Sequence, residues 1–157
     1  MTNSNQSSTA SSPQPNKIAH NLLGAIAGIS LVGFIDSAYL LGDHYFNLPL
    51  PCSITNGCET VLTSPYAMVG PIPLAFFGVV YYVATMFFAL HLFTDKTLVR
   101  NQILAFFGLT LVGLLMSVVF MSIQVFLIGA ICQYCALSAL CTLASFVFAT
   151  RIERITR

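Results

Sequence analysis

Charged residues are scarce in this chain, and their scarcity excludes most soluble folds. Lysine, arginine, aspartate and glutamate make up 7% of the 157 residues, against roughly 25% in ordinary soluble domains. Hydrophobic residues make up 57%, so too little polar surface remains to keep a folded chain in water. The net charge of +1 provides no basic stripe to neutralise phosphates, which argues against a nucleic-acid partner. We therefore expect membrane lipid to solvate much of the protein.

Familiar ligand-binding motifs are also missing. The chain has no Gly-rich phosphate loop and no His-rich metal motif, so no metal site is predicted. It does have four long, nearly uncharged apolar stretches, at residues 18–41, 72–93, 103–126 and 128–150. Each has the roughly 20 residues that cross a hydrocarbon core about 30 Å thick. Because backbone groups in lipid need internal partners, each stretch predicts a transmembrane helix.

Two regions flank or interrupt these helices. Residues 1–16 are rich in Ser, Thr, Asn, Gln and Pro, which predicts a disordered tail. Residues 17–157 are predicted to form one domain. The apolar run of the first helix exceeds the 7–15 residues typical of a signal peptide, so we expect it to be retained. A loop at 42–71 joins the first two helices, and residues 58–63 within it predict a short amphipathic half-helix, which Ser64-Pro65 ends.

The basic residues indicate how the chain crosses the membrane. With four spans, all six lie on one side, at Lys17, Lys96, Arg100, Arg151, Arg154 and Arg157. The positive-inside rule then predicts that both termini are cytoplasmic and that loop 42–71 is extracytoplasmic.

Four of the five cysteines form two pairs on that extracytoplasmic side. Cys52 and Cys58 lie in the loop, and Cys132 and Cys135 form a C-x-x-C at the start of the fourth helix. Disulfides form and persist in such compartments. The positive end of the helix dipole is expected to lower the pKa of the C-x-x-C thiols. Cys135 lies about 4.5 Å deeper than Cys132 along the helix, so Cys132 is better placed to exchange with a loop cysteine.

Three interpretations of these pairs are open. A helix-embedded C-x-x-C closes a tiny loop and constrains the unfolded chain little, which favours redox chemistry. Structural staples and a zinc site of four thiolates are the alternatives. No His follows the C-x-x-C, which excludes c-type haem attachment.

Several motifs, in this order, resemble the bacterial branch of the vitamin K epoxide reductase (VKOR) family. The resemblance covers nearly the whole chain after about residue 20. It rests on Asp36-Ser37-Ala38-Tyr39-Leu40, His44-Tyr45, Pro51-Cys52, Cys58, Ser64-Pro65-Tyr66, Gly70-Pro71-Ile72-Pro73, and Cys132-Gln133-Tyr134-Cys135. It implies an all-α membrane protein, a four-transmembrane-helix bundle around a quinone, capped by the half-helix.

The resemblance also implies roles for individual residues. Cys132 and Cys135 would be the active-site pair beside the quinone, and Cys52 and Cys58 the shuttle pair. Ser64 matches the family's serine near the quinone ring.

The sequence departs from animal members of the family at two positions. Where those members have an Asn and a Tyr, this chain has Leu74 and Ala139. This departure favours reduction of a quinone, of ubiquinone or menaquinone type, over reduction of an epoxide. We assign Ser64, Leu74, Phe76 and Ala139 to the quinone pocket, although aromatic residues such as Phe76, Phe77, Tyr81 and Tyr82 could equally face lipid.

The resulting hypothesis is a quinone-linked thiol oxidoreductase of the bacterial inner membrane. Electrons would pass from a thioredoxin-fold (DsbA-like) protein to Cys52/Cys58, then to Cys132/Cys135, and then to the quinone. The thioredoxin-fold protein would be a separate partner, since no such domain is expected in this chain. An enzyme of the DsbB type is disfavoured because its cysteine pairs occur in the reverse order.

Two non-redox classes are also weighed. A membrane scaffold with a stapled outer loop is the main alternative, but its claudin-like examples carry a loop Trp, and this chain has none. A transporter would use Asp36, the only ionisable residue well inside an apolar stretch. We interpret Asp36 instead as making a local hydrogen bond or packing contact.

Overall fold

The computed structural model describes residues 15–46, 57–94 and 100–156. Five α-helices and a short two-stranded ribbon make up most of this part of the chain: α1 (Pro15–Phe46), α2 (Cys58–Leu62), β1 (Met68–Val69), β2 (Ile72–Pro73), α3 (Leu74–Thr94), α4 (Arg100–Ile123) and α5 (Gln133–Thr156). A 3-10 turn covers Pro65–Ala67, and a π-helical turn covers Gln124–Ile128. Residues 1–14 of the tail predicted at 1–16 lie outside the described residues, as does the loop segment with Cys52, whereas the last two residues of that predicted tail belong to α1.

Four of the helical segments are long and apolar enough to cross a membrane: Lys17–Phe46, Leu74–Thr94, Arg100–Ile128 and Gln133–Thr156. This confirms the predicted all-α membrane protein with four transmembrane helices. Large apolar side chains such as Phe87 (67% exposed) and Phe126 (81% exposed) project from the bundle. In water such an exposed apolar surface would be an association site. In a membrane, lipid tails contact it without a free-energy penalty.

The helix ends differ from those predicted from hydropathy alone. The first helix continues to Phe46, five residues beyond the apolar stretch at 18–41, because helical hydrogen bonding does not require apolar side chains. The third span ends in the π-helical turn, where Gly129 adopts a left-handed φ of 70° that glycine reaches without steric cost. The fourth helix therefore begins at Gln133, five residues later than predicted.

The two ends of the helix bundle contain different buried clusters. Helix α1 packs against α3 and α5, and α4 packs mainly against α5. At one end, all four long helices contribute to a buried apolar cluster of Ala19, Leu23, Ile26, Ala89, Leu92, Ile103, Phe106, Ala149 and Ile152. A second, smaller cluster of Cys58, Val61 and Cys132 lies where α2 meets the start of α5. We call this second region the cysteine end.

The segment between α2 and α3 closes the cysteine end. Helix α2 matches the predicted half-helix, with Val61 buried beneath it. The chain then turns through Pro65–Ala67 and forms the antiparallel ribbon, in which Met68 pairs with Pro73. The sequence did not predict this ribbon, because two-residue strands are too short to produce an alternating pattern. The ribbon leads directly into α3 and brings the loop against the helices.

Candidate functional site

Three of the four described cysteines meet at the cysteine end. Cys58 and Cys132 are both fully buried and belong to one apolar cluster, and Cys135 packs against it. Cys58 is disulfide-bonded, whereas Cys132, Cys135 and Cys141 are free thiols. Cys52, the predicted disulfide partner of Cys58, lies outside the described residues. The arrangement brings one cysteine of the loop pair against the C-x-x-C, while Cys141 lies farther along α5.

Gly57 explains how α2 can come so close to the C-x-x-C. A Cβ at this position would lie 2.7 Å from the carbonyl oxygen of Ile131 and 2.9 Å from its amide nitrogen. Both atoms belong to the backbone just before Cys132, so neither can move aside as a flexible side chain could. The absence of a side chain at Gly57 therefore lets the first turn of α2, with Cys58, pack directly on this segment.

Gln124 holds the start of α5. Its Oε1 accepts a hydrogen bond of 3.1 Å from the Cys132 amide, and the Cys132 carbonyl accepts one of 3.0 Å from the Ala136 amide. Cys132 thus occupies the N-terminal cap position of α5. Gln124 is only 4% exposed, and its side chain is also within hydrogen-bonding reach of the Cys135 thiol. Sequence reasoning missed it, although it is the one amide side chain in the apolar stretch 103–126.

The position of Cys132 makes it acidic. The Cys135 thiol donates a hydrogen bond to the Cys132 sulfur, and the backbone amides of Cys135 and Tyr134 donate two more, so the pKa of Cys132 falls to about 6 despite its burial. These amides are the unsatisfied donors of the first helical turn, which carry the positive end of the dipole. The backbone donors of the helix start thus contribute to the lowered pKa of Cys132, as expected, although the largest contribution comes from the Cys135 thiol. The same expectation is not confirmed for Cys135. The lowered pKa favours the thiolate of Cys132, which is the reactive form of cysteine.

A cavity of about 420 Å³ lies on the bundle side of the cysteines. Cys135 forms part of its wall, whereas Cys132 does not. Three of the four residues assigned to a quinone pocket line it, namely Ser64, Leu74 and Ala139. Phe76 does not line it and is 43% exposed on the outside of α3.

The aromatic residues of α3 are divided between the cavity and lipid. Phe77, Tyr81 and Tyr82 line the cavity, unlike their neighbour Phe76. Residues of α4 form the facing wall, among them Val112, Met116, Ser117 and Phe120. The cavity is therefore bounded on two sides by apolar and aromatic side chains.

A few polar groups interrupt this apolar lining. The Tyr82 hydroxyl donates to the carbonyl oxygen of Ser138 at 2.7 Å, and it also lies 2.8 Å from Ser138 Oγ and 3.1 Å from Thr142 Oγ1. Ser64 Oγ donates to the carbonyl oxygen of Val61 at 2.7 Å, which fixes the end of α2. These hydroxyls are held in place by backbone partners.

Asp36 behaves differently from the interpretation based on sequence. It is 7% exposed and lines the cavity. Neither of its carboxylate oxygens has a hydrogen-bond partner among the described residues. Of the two roles expected for Asp36, the local hydrogen bond is therefore wrong, whereas the packing contact agrees with the burial of its side chain beside the cavity.

The comparison with known families agrees with this site. A model of the Vitamin K epoxide reductase family matches residues 24–150, which include most of α1, the loop, both C-x-x-C cysteines and most of α5. No curated protein matches the chain. Because the match covers most of the sequence, this integral membrane protein belongs to the vitamin K epoxide reductase family, whose members are quinone-linked thiol oxidoreductases.

Proposed function

We propose that this protein reoxidises a separate, extracytoplasmic thioredoxin-fold protein of the DsbA-like type and passes its electrons to a membrane quinone, which supports disulfide formation. The partner would reduce a Cys52–Cys58 disulfide. The Cys58 thiolate would then attack Cys132 in a Cys132–Cys135 disulfide and form a Cys58–Cys132 mixed disulfide. Attack by Cys52 on Cys58 would resolve it and release Cys132. Each exchange conserves one disulfide, so two electrons move at each stage.

The observation that carries this proposal is that Cys58 and Cys132 belong to one small buried cluster, together with Val61. The second half of the exchange needs Cys132 to leave as a thiolate, and thiols of low pKa leave faster. A pKa of about 6 for Cys132 suits that role.

The cavity suits a quinone. Its volume of about 420 Å³ lies within the roughly 300–1,000 Å³ of small-molecule pockets. Leu74, Phe77 and Met116 offer apolar contact for a flat ring, and Cys135 provides a thiol in the wall. When bound, a quinone of ubiquinone or menaquinone type accepts two electrons and two protons.

Ala139 and Ser64 limit the space for such a ring in different ways. Ala139 is small and leaves room beside Cys135 on α5, whereas Ser64 limits the cavity at the end of α2. The cysteine end and α2 cover the cavity on the side of the loop. This cover limits the access of water to the thiol in the wall.

We also propose an orientation and an extent for the domain. Four described basic residues, Lys17, Arg100, Arg151 and Arg154, belong to helix ends opposite the cysteine end. By the positive-inside rule, that end and both termini face the cytoplasm of a bacterial inner membrane. The cysteines then face the compartment where disulfides persist. Residues 17–157 would form the whole domain.

The test is to trap the exchange at the C-x-x-C. In Cys135→Ala the Cys132 thiolate can still attack Cys58 of the Cys52–Cys58 disulfide and release Cys52, but the thiol that would displace Cys58 from Cys132 is gone. The Cys58–Cys132 mixed disulfide should therefore accumulate, and quinone reduction should stop. Mass spectrometry of peptides cut under non-reducing conditions identifies the linked cysteines. The matched control is Cys141→Ala on the same helix, which should trap nothing and turn over normally. Normal turnover of Cys135→Ala, or a Cys52–Cys132 link in place of Cys58–Cys132, would contradict the proposed route.

A further inference from the structure

Asp36 is a buried carboxyl group that the thiol exchange does not use. It lies inside a membrane-spanning helix and is 7% exposed. Neither oxygen has a hydrogen-bond partner among the described residues. Burying a carboxyl group without a partner costs several kcal/mol in typical cases, and ionisable residues inside membranes are usually retained for function. A structural role for Asp36 would require contacts that its oxygens do not make.

The position of Asp36 links the C-x-x-C to the cavity. Asp36 lines the cavity together with Leu40 and His44, which follow it at four-residue intervals on the same face of α1. Cys135 is part of the same wall. Asp36 is close enough to Cys132 and Cys135 for their charges to interact. The carboxyl group therefore borders the same cavity as the thiol that must lose a proton, and this cavity is the space assigned to the quinone.

Other titratable groups that line the cavity are less suited to carry a proton. They are His44, Tyr66, Tyr81 and Tyr82. His44 is exposed, two helical turns away from Asp36, and Tyr66 is also exposed. The hydroxyl proton of Tyr82 is donated to the Ser138 carbonyl. Among the described residues that line the cavity, Asp36 is the only carboxylic acid.

We infer that Asp36 is the proton-transfer residue of quinone reduction, taking the proton of the Cys135 thiol and delivering it to the bound quinone. This inference rests on the proposed function. The Asp36 carboxylate accepts the Cys135 proton, and the thiolates of Cys132 and Cys135 form a disulfide and release two electrons. The quinone takes these electrons, the proton held by Asp36 and a second proton from the aqueous side. That second proton replaces the one Cys132 gave to solvent on becoming a thiolate.

The test compares neutral and acidic side chains at position 36. The full-length protein in detergent is reduced, freed of reductant and mixed with a short-chain ubiquinone analogue, and the first turnover is followed by absorbance. General acid–base groups contribute about 10²–10⁴-fold, so Asp36→Asn should slow quinol formation by at least about 100-fold without raising the quinone concentration needed for half-saturation. Asp36→Glu should recover most of the rate. Asp43→Asn, the same substitution on α1 outside the cavity, should match the wild type.

A second measurement needs no quinone. Infrared difference spectra between the protein with Cys132 and Cys135 reduced and the protein with this pair oxidised by diamide should contain a carboxyl band. That band should vanish in Asp36→Asn and persist in Asp43→Asn. A merely structural Asp36 would give no such band. If Asp36→Asn does not accumulate in membranes, the smaller Asp36→Ser removes the same proton site and should show both losses.

The possible results distinguish a failure of the Asp36 assignment from a failure of the proposed function. Wild-type protein that forms no quinol would overturn both. Wild-type protein that forms quinol, together with an Asp36→Asn variant of equal rate or an unchanged infrared band, would overturn the role of Asp36 alone. A slow Asp36→Asn variant restored by glutamate, with the band lost, supports the assignment.

Discussion

Replacing Gly57 by alanine should separate Cys58 from the C-x-x-C. The backbone at Gly57 has φ −89° and ψ −10°, a right-handed conformation that alanine adopts without strain. The effect of this variant therefore arises from space alone. The added methyl group would meet the backbone oxygen and nitrogen of Ile131, which cannot rotate away. Helix α2 must then move away from the segment that leads into Cys132.

The size of this movement sets the expected effect. Relief of the contact from 2.7 Å to the 3.4 Å at which ordinary contacts begin needs a shift of about 0.7 Å at Gly57. A misplacement of 1 Å between reacting groups can cost about 10²-fold in rate. We therefore expect electron transfer from the Cys58 pair to the Cys132–Cys135 pair to slow by about 10- to 100-fold.

Two rates measured on the same preparation test this expectation. In the first, oxidised protein is mixed rapidly with excess reduced thioredoxin-fold protein, and quenched samples report how fast Cys132 and Cys135 become reduced. In the second, fully reduced protein is mixed with quinone, which bypasses the Cys58 contact. Gly57→Ala should slow the first rate and leave the second unchanged. The control is Gly28→Ala on α1, where an added Cβ meets nothing within 4 Å.

The reasoning fails in either of two cases. A Gly57→Ala variant that reduces Cys132 and Cys135 at the wild-type rate would refute the claim that the α2 contact is the transfer route. A variant that loses both rates equally would indicate general disruption of the fold.

Three further predictions concern the start of α5. The ultraviolet absorbance of the Cys132 thiolate should appear as pH rises through about 6, and Cys135→Ala should move this midpoint up toward the ordinary value of about 8.5. Since folding lowers this pKa, the reduced protein should lose stability as pH falls from about 8.5 to about 6, and thermal unfolding at several pH values measures this. Gln124→Leu leaves the buried Cys132 amide without its acceptor, so it should lower the free energy of unfolding by about 1–3 kcal/mol. Gln102→Leu is the control, because its buried Oε1 has no hydrogen-bond partner among the described residues. Equal losses in both variants would contradict the role of Gln124.

The sequence predicted the features that depend on length and local chemistry. Four apolar stretches of membrane-spanning length predict four helices whatever their mutual packing. The half-helix at Cys58–Leu62 and the C-x-x-C at the start of α5 follow from local patterns of proline and apolar residues. The acidity of Cys132 also follows locally, because its main donors are in its own helical turn.

The composition of the cavity could not be predicted in the same way. In a membrane helix both the lipid face and the packed face are apolar, so periodicity does not separate them. Phe76 and Phe77 are adjacent and chemically identical, yet only Phe77 lines the cavity. The contacts of Gln124 with Cys132 and of Gly57 with Ile131 join segments whose approach depends on tertiary packing. The carboxylate of Asp36 has no hydrogen-bond partner among the described residues, and this too depends on how α1 packs in the bundle.

The central claim is that electrons leave Cys132 and Cys135 for a quinone in the adjoining cavity. The most direct measurement is an anaerobic titration of the reduced, purified protein with a quinone, counting quinol by absorbance and disulfides by mass spectrometry. The account predicts one quinol for each Cys132–Cys135 disulfide formed, and none in Cys135→Ala. Disulfide formation without quinol, or equal quinol from Cys135→Ala, would contradict it.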